Sequence, residues 1–380
     1  MRFETKLLHN GNEVDPYTGA ASIPIYQAST YHQFEIEKPG EYGYARVGNP
    51  TRKALEETIA SLEQGVAGFA FASGMAAIST VFLLFSPGDH LLVSQDVYGG
   101  TYRVLTTLFA RLGIRTSFVD TTNLKAVEQA IEERTKAIYV ETPSNPILKV
   151  TDLRGIVKLA KEYQLLTIID NTFMTPVFQN PIPLGFDIVI HSATKFIGGH
   201  SDVLAGLVVA KDASIAAKIR SLQLSFGAVL GVQDSWLLLR GIKTLQTRMK
   251  VSSASAQKIA EWLSSHPQVE QVYYTGLPTH EGHSLQASQA SGHGAVLSFE
   301  LGSREKAVRF MKQLKLPIVA VSLGSVESIL SYPAEMSHSS MPKHVREQHG
   351  ITDGLVRLSV GLEHVEDLIE DLEQALAAAK

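Results

Sequence analysis

A lysine near the middle of the chain has the surroundings of a reactive amine. Lys195 comes shortly after the apolar run DIVIHS, with small residues on both sides. Ligands of open α/β sheets bind outside the carboxyl ends of the strands, which is where such a lysine would lie. Burial favours the neutral form of an amine, and a neutral amine can form a Schiff base with a carbonyl group. Considered alone, however, such a lysine is more often a surface residue in a loop.

Other polar residues change this balance. Asp170 ends the apolar run LLTIID, so a carboxylate is expected at the same edge of the sheet, and Ser192 and Thr194 flank the lysine with hydroxyl groups. In GFAFASGMAAIST, a turn at Ser73 and Gly74 joins a strand to a helix whose first amides can cradle a phosphate. A cofactor with an aldehyde, a phosphate and a basic ring nitrogen would engage all these groups. Pyridoxal phosphate has these three features.

The composition indicates a compact protein that acts on small molecules. The 380 residues are 44% hydrophobic and 19% charged, which favours two or three globular domains over a disordered chain. A net charge of -4 gives no basic surface for nucleic acid or an anionic membrane. The absence of cysteine excludes a disulfide framework, a thiolate metal site and a cysteine nucleophile. The start of the sequence lacks the apolar segment of a signal peptide, and no apolar run approaches the roughly 20 residues of a membrane span, so we expect a cytoplasmic protein.

The chain must also supply the elements that position these groups. Residues 1–48 are rich in turns, with a possible regular stretch only at 22–31, and predict an N-terminal arm. Residues 49–240 alternate apolar runs with helical patterns, which predicts an α/β fold with a doubly wound, mostly parallel sheet. Its seven predicted strands are GFAFAS, HLLVSQ, TSFVD, AIYVE, LTIID, DIVIHS and LAGLVVA. A long helical stretch at 235–266, softly interrupted near Gly241, leads into a smaller C-terminal α+β domain at 241–380.

Several long motifs resemble one enzyme family. These are SGMAA, DVYGGTYR, ETPSNP, IDNTF, HSATKFIGGHSD and LVRLSVGLE. Together they resemble the Cys/Met-metabolism family of pyridoxal phosphate enzymes along essentially the whole chain. The resemblance implies the fold of type I pyridoxal phosphate transferases, an amino-acid thioether as substrate, and a homotetramer built as a dimer of dimers.

The resemblance also implies roles for individual residues. Lys195 matches the Schiff-base lysine and Asp170 the partner of the pyridinium nitrogen, while Tyr98 matches the catalytic aromatic residue that stacks on the cofactor ring. The phosphate cradle is matched by Gly74, Met75, Ser192 and Thr194, and a contribution from the neighbouring subunit by Tyr44 and Arg46. Arg357 matches the guanidinium that binds the substrate α-carboxylate, and further contacts to substrate and cofactor are matched by Asn145 and Ser322.

One position bears on the branch of the family. Relatives that act at Cγ commonly have a glutamate before the Ser-Leu-Gly motif, whereas this chain has Val321. This valine and the run FGAVLGVQD resemble the β-lyases, which convert cystathionine to homocysteine, pyruvate and ammonia in methionine biosynthesis. The alternatives are a γ-lyase, or a γ-synthase or thiol transferase on the same scaffold, and Val321 could also be an ordinary strand residue. Methionine γ-lyases have a cysteine where this chain has Gly100, which disfavours that branch.

Two further hypotheses are less favoured. The histidines at 280, 283, 293, 338, 344 and 349 invite a metal site, but their loop spacing and the lack of cysteine favour solvated or capping histidines and no metal. A member of the family that has lost its chemistry is conceivable. Each matched position nevertheless keeps its functional residue type, so we expect an enzyme.

Overall fold

A computed structural model describes residues 1–11, 13–339 and 343–379. Its larger sheet has seven strands, one for each of the seven predicted apolar runs. They are β1 (Ala67–Phe71), β2 (His90–Ser94), β3 (Arg115–Val119), β4 (Thr135–Glu141), β5 (Leu166–Asp170), β6 (Ile188–Ser192) and β7 (Gly206–Ala210). All five residues of β2 and of β7 are buried, as expected for strands covered on both faces.

The strand order is β1-β7-β6-β5-β4-β2-β3. Only β7 runs antiparallel to its neighbours, β1 and β6, and the other pairs are parallel. The predicted doubly wound, mostly parallel sheet is therefore confirmed. Because β4, β5 and β6 are adjacent and parallel, their carboxyl ends meet at one edge, and Glu141 and Asp170 are paired in register there.

Helices cover both faces of this sheet. Several begin at side chains that accept a hydrogen bond from the first turn, such as Asn49 before α2, Ser73 before α3 and Asp152 before α6. The first nine helices are α1 (Phe3–His9), α2 (Pro50–Glu63), α3 (Gly74–Phe82), α4 (Gly99–Val104), α5 (Leu124–Gln129), α6 (Leu153–Glu162), α7 (Thr175–Phe178), α8 (Pro181–Leu184) and α9 (Ala213–Phe226). A π-helical turn at Leu105–Phe109 continues α4.

Two long helices lead to the second sheet. They are α10 (Val232–Ile242) and α11 (Leu245–Ser264), so the helical stretch breaks close to Gly241, as its pattern predicts. The second sheet has five strands in the order β10-β11-β12-β9-β8. These strands are β8 (Gln271–Tyr273), β9 (Val296–Glu300), β10 (Ile318–Val319), β11 (Ile329–Ser331) and β12 (Leu355–Ser359). The helices of this part of the chain are α12 (His283–Gln289), α13 (Arg304–Gln313), α14 (Lys343–Gln348) and α15 (Val365–Ala378).

The sequence pattern missed three short elements, β8, α12 and α14, because three to seven residues are too few to display a period. Two buried clusters lie on the two faces of the large sheet, and a third fills the space between the small sheet, α11, α13 and α15.

Among the described residues, no helix combines the length and the apolar character needed to cross a membrane.

The first 48 residues are more structured at their start than expected. The helix α1 was not predicted, and it forms because Leu7 is buried against the body of the chain. The stretch at 22–31 is not a strand, since it holds only an isolated bridge between Thr30 and Tyr44. Phe34 is 92% exposed and Ile36 is 83% exposed. The segment thus presents large apolar side chains at the surface.

Candidate active site

Lys195 lies in the turn that follows β6, at the carboxyl edge of the large sheet. Its Nζ donates a hydrogen bond of 2.7 Å to Ser322 Oγ. Burial, assisted by the positive charge of Arg357, lowers the pKa of Lys195 to about 8. A substantial fraction of this amine is therefore neutral under mildly alkaline conditions, as a nucleophile or a proton acceptor must be.

Ser322 connects Lys195 to Arg357. The Nη2 of Arg357 donates to the Ser322 carbonyl oxygen at 2.7 Å, and its Nη1 donates to Asn145 Oδ1 at 2.6 Å. Arg357 is only 3% exposed, and its Nε has no hydrogen-bond partner among the described residues. Burial lowers the pKa of Arg357 to about 10. A buried guanidinium held by neutral groups is well prepared for an incoming carboxylate.

Ser322 itself has a backbone φ of 98°, in the region that favours glycine. Non-glycine residues adopt this region at a cost of about 1–3 kcal/mol, and they concentrate at functional sites. Here the unusual backbone places the Ser322 carbonyl against Arg357 and its hydroxyl against Lys195. One residue thereby joins the predicted reactive amine to the predicted carboxylate-binding group.

Asp170 and Glu141 bring two carboxyl groups to the neighbouring part of the same edge. Each is 7% exposed. Burial raises the pKa of Asp170, whereas hydrogen bonds from the hydroxyl and the backbone N–H of Thr172 oppose the rise. Burial and the charge of Asp170 raise the pKa of Glu141 well above its usual range. Burial thus favours the protonated form of both carboxyl groups, and the hydrogen bonds from Thr172 stabilise the charged form of Asp170.

The start of α3 lies against the end of β6. The Ser73 side chain accepts the Ala76 N–H at 3.0 Å, which leaves the earlier amides of Gly74 and Met75 beyond the reach of intrahelical acceptors. A Cβ on Gly74 would lie 3.0 Å from Ser192 Oγ, so glycine leaves a space beside this hydroxyl. Amides, a hydroxyl and a helix N-terminus together fit a phosphate.

The hydroxyl of Thr194 forms hydrogen bonds with the backbone of its own chain. Its hydroxyl donates to the Ala205 carbonyl at 3.2 Å and accepts the Ala205 N–H at 2.9 Å. The hydroxyl therefore fixes the backbone on both sides of the turn, in addition to any contact with a ligand.

Tyr98 presents an aromatic ring at this edge and is 41% exposed. Its backbone N–H donates to Glu141 Oε2 at 2.9 Å. A Cβ on Gly100 would lie 2.4 Å from Tyr98 Cε1 and 2.8 Å from Met75 Sδ. A larger residue at position 100, cysteine included, would therefore require the ring of Tyr98 to shift.

Among the described residues, three predicted site residues make no hydrogen bond to this group. Arg46 donates from Nη1 to the Leu224 carbonyl at 2.7 Å, close to the end of α9, and its Cζ lies 5.5 Å from the centroid of the Tyr44 ring. Tyr44 is 49% exposed. Val321 is 64% exposed and follows β10 rather than belonging to it. The interpretation of Val321 as an ordinary strand residue was therefore wrong.

Glu141 is the principal site residue that the sequence analysis missed. It ends the predicted strand AIYVE just as Asp170 ends LTIID, so the rule that located Asp170 could also have located Glu141. His338 was grouped with the solvated or capping histidines, but it is only 1% exposed. Its Nδ1 lies 2.8 Å from Ser337 Oγ, and burial with the nearby Arg357 charge lowers its pKa to about 4.

Four of the other histidines have local partners. The rings of His283 and His293 stack with centroids 5.2 Å apart, and His280 Nδ1 accepts the Gly282 N–H at 3.0 Å. His349 Nδ1 lies 3.2 Å from Asp96 Oδ1. No group of three or more metal-ligating side chains is found in the part of the chain that the structure describes.

The residues at the sheet edge fit pyridoxal phosphate. Lys195, whose pKa is lowered, matches the aldehyde of this cofactor. The buried Asp170 matches its ring nitrogen, and the start of α3 at Gly74 matches its phosphate. The family model described as Cys/Met metabolism PLP-dependent enzyme matches residues 4–377. The chain belongs to this family. It is therefore an enzyme that uses pyridoxal phosphate, and the family and cofactor predictions are confirmed.

Curated relatives in the family cover nearly the whole chain. The chain is 58% identical over 373 residues to the cystathionine beta-lyase MetC of Bacillus subtilis (strain 168), covering 98% of this chain and 96% of that protein. It is also 52% identical over 376 residues to the cystathionine gamma-lyase of the same strain, covering 99% of each. The relatives thus carry the names of two branches.

Solved structures of the family share the fold. The crystal structure of cystathionine gamma-lyase from Lactobacillus plantarum complexed with L-serine has a TM-score of 0.97 and 50% sequence identity, covering 100% of this chain and 99% of that one. The family fold predicted for the chain is confirmed.

Proposed function

We propose that this protein is a carbon–sulfur lyase of the cystathionine β-lyase type. It would cleave L-cystathionine, with water, to homocysteine, pyruvate and ammonia. The observation that carries the proposal is the hydrogen-bonded series from Lys195 through Ser322 to Arg357. This series sets an amine of lowered pKa beside a buried carboxylate receptor, which is what an enzyme needs to remove a proton from the α-carbon of an amino acid.

Each group in the series has a distinct task. Arg357 binds the substrate α-carboxylate with its planar donors, while Asn145 holds the guanidinium in place. Lys195 Nζ, oriented by Ser322, accepts the proton from the α-carbon. Pyridoxal phosphate, when bound, supplies an electron sink for the pair released there. Asp170 would hold a proton at the ring nitrogen of the cofactor, and Tyr98 would stack on the cofactor ring.

The cofactor phosphate would be held by four residues of the large sheet and its helix. The amides of Gly74 and Met75 and the hydroxyl of Ser192 converge at the start of α3. Thr194 contributes through the turn that it fixes to Ala205. In this proposal Tyr44 and Arg46 complete the phosphate site of the neighbouring subunit rather than that of their own chain.

Val321 supports the β-lyase branch. In this chain it is an exposed apolar residue directly before Ser322, so the distal part of the substrate meets no carboxylate from this position. Relatives named cystathionine beta-lyase include three from Lactococcus lactis at 53% identity. The second candidate is γ-cleavage of cystathionine, which a curated relative at 52% identity and a solved structure at 50% identity favour by their names.

We further propose a cytoplasmic homotetramer that works in methionine biosynthesis. Residues 1–48 would be the arm that contacts a neighbouring subunit, and their exposed Phe34 and Ile36 support this assignment. Residues 49–240 would bind the cofactor and residues 241–380 would complete the substrate site. The two separate sheets support this division.

The products formed from L-cystathionine test the proposal. Pyruvate with homocysteine reports β-cleavage, whereas 2-oxobutyrate with cysteine reports γ-cleavage. The Lys195→Ala variant should lose turnover, because a general base alone contributes about 10²- to 10⁴-fold and the covalent attachment of the cofactor is also lost. Borohydride should attach the cofactor to the wild type at Lys195 and fail to attach it to the variant. Near-normal turnover by the variant would refute the role of Lys195.

A further inference from the structure

Arg248 is a buried cation without a carboxylate partner. It lies in α11 and is 6% exposed. No Asp or Glu among the described residues forms an ion pair with it, and burial lowers its pKa to about 10. A buried charge without a counter-charge costs free energy unless other groups satisfy it, so its presence calls for a specific reason.

The guanidinium of Arg248 is satisfied by main-chain oxygens close to Lys195. Its Nη1 donates to the Phe196 carbonyl at 2.6 Å. Its Nη2 donates to the Gly241 carbonyl at 2.8 Å and to the Ile197 carbonyl at 3.4 Å. Phe196 and Ile197 are the two residues that directly follow Lys195. The side chain therefore joins the turn that bears the amine to the end of α10.

The helix of Arg248 also holds the guanidinium itself. Its Nε donates to Thr244 Oγ1 at 3.1 Å, one helical turn earlier. A Cβ on Gly199 would lie 2.2 Å from Arg248 Nη1, so only glycine allows the guanidinium to approach the end of the turn. These contacts give the guanidinium a single orientation, which a flexible ammonium would lack.

Two glycines from other elements close around the same turn. A Cβ on Gly241 would lie 2.7 Å from the Ile197 carbonyl oxygen, and a Cβ on Gly324 would lie 2.5 Å from the Phe196 nitrogen. Gly324 belongs to the loop that carries Ser322, the hydrogen-bond partner of Lys195. The turn therefore sits between the end of α10, the start of α11 and the Ser322 loop, and Arg248 supplies its hydrogen bonds on the α11 side.

We propose that Arg248 is a positioning residue for Lys195. By fixing the carbonyls of Phe196 and Ile197, it holds the lysine turn against α11, so that Nζ meets Ser322 Oγ and the α-carbon of the substrate. Arg248 acts through geometry, because the charge that contributes to the shifted pKa of Lys195 is that of Arg357. The inference rests on the proposed role of Lys195 as the reactive amine.

The test compares Arg248→Met, which keeps an unbranched apolar side chain, with Arg248→Lys. The lysine variant keeps the charge but loses the planar set of N–H donors of the guanidinium. In Arg248→Met, kcat for cystathionine should fall about 10- to 100-fold with KM within about threefold, because small displacements of a reacting group have effects of this size. Arg248→Lys should recover part of kcat, because its ammonium can still donate to a carbonyl of the turn.

Hydrogen exchange in the cofactor-free protein gives a readout independent of turnover. The amides of Gly198 and Gly199 donate to the carbonyls of Ala193 and Lys195 within the turn. Their exchange should accelerate about tenfold in Arg248→Met, as expected when a local segment loses its tertiary contacts. Leu263→Ala is the matched control, because Leu263 is a fully buried residue of the same helix in the core of the small sheet.

The outcomes separate this inference from the proposed function. Unchanged kcat and unchanged exchange of the turn in Arg248→Met would overturn the positioning role. Equal losses in Leu263→Ala would also overturn it, since they would trace the effect to stability alone. If Arg248→Met does not fold, full activity of Arg248→Lys would show that the planar donors of the guanidinium are not required, and this result would overturn the positioning role. Failure of the proposed function would instead appear as borohydride attachment that persists in Lys195→Ala.

Discussion

Glu141 and Asp170 end two adjacent parallel strands and are paired in register, which sets two buried carboxyl groups side by side. They are not equivalent, because Asp170 accepts a hydrogen bond from the backbone N–H of Thr172, whereas Glu141 accepts one from the backbone N–H of Tyr98. Like charges this close favour one protonated and one ionised member. We expect Glu141 to be the protonated member, which accepts the backbone N–H of Tyr98, and Asp170 to be the ionised member, which would bind the ring nitrogen of the cofactor.

We therefore predict that Glu141→Gln retains cofactor affinity and kcat within about threefold, because an uncharged amide can still accept the Tyr98 N–H. Glu141→Ala should weaken cofactor affinity about tenfold, since an unpartnered buried donor costs about 1–3 kcal/mol. Equilibrium binding of pyridoxal phosphate to the cofactor-free variants measures this. If Glu141→Gln is as defective as Glu141→Ala, Glu141 acts as a charged group and its assigned protonation is wrong.

The pKa of Lys195 leads to a prediction for the cofactor-free enzyme. Because burial lowers this pKa to about 8, the amine is protonated and unreactive well below pH 8 and becomes reactive as the pH rises through that value. Labelling with an acylating reagent, followed by peptide mass analysis, should give a midpoint near pH 8. A midpoint near the ordinary lysine value of about 10.4 would contradict the burial of the amine.

Lys53 is the internal control for that titration. Hydrogen bonds with Glu41 and Glu57 raise the pKa of Lys53, so its labelling should begin only at a much higher pH than that of Lys195. Both lysines are measured in one sample. A general effect of pH on the reagent would shift the two residues together, whereas the predicted difference separates them.

Much of this architecture can be predicted from local sequence patterns. The seven strands of the large sheet are apolar runs that alternate with helices, and the strand-end rule predicted that Lys195 and Asp170 lie at the carboxyl edge of this sheet. The helical pattern at 235–266 also identified the stretch that forms α10 and α11, because each helix buries one face. These features depend on neighbours in the chain, and a single sequence contains that information.

The contacts that assemble the site lie beyond local patterns. Arg357 and its partner Asn145 are 212 residues apart, and Lys195 and Ser322 are 127 residues apart. Only the family resemblance connected them. The hydrogen-bond partners of Arg248 are main-chain carbonyl oxygens of a turn, such as that of Phe196, 52 residues earlier. Every residue has a main-chain carbonyl, so the sequence does not reveal these partners, and Arg248 resembles an ordinary solvent-facing residue of a helix.

Val321 provides a test of specificity. The side chain is 64% exposed, so a glutamate can be introduced there without burying a charge. We expect Val321→Glu to lower pyruvate formation from cystathionine, or to shift the product ratio toward 2-oxobutyrate. Val321→Gln is the control of similar size without charge. An unchanged ratio at a preserved rate would remove Val321 as a determinant of the branch.

The exposed surface around Tyr44 and Arg46 leads to a prediction about assembly. Within its own chain Arg46 contacts the Leu224 carbonyl, and its remaining donors are available to a neighbour. If they reach the cofactor phosphate of that neighbour, Arg46→Ala should weaken cofactor retention about 10- to 100-fold, since a charge-assisted hydrogen bond contributes about 1.5–3 kcal/mol. Dialysis of the variant against buffer, with the bound cofactor followed by absorbance, measures the loss.

Mixing two inactive variants distinguishes a shared site from a site within one chain. In a hybrid of Lys195→Ala and Arg46→Ala chains, one site receives an intact Lys195 from one chain and an intact Arg46 from the other, so activity should partly return. The other site receives neither and stays inactive. Mass spectrometry of the intact assemblies verifies that subunits have exchanged. If exchange is complete and no activity returns, although each single variant is deeply impaired, Arg46 serves the site of its own chain.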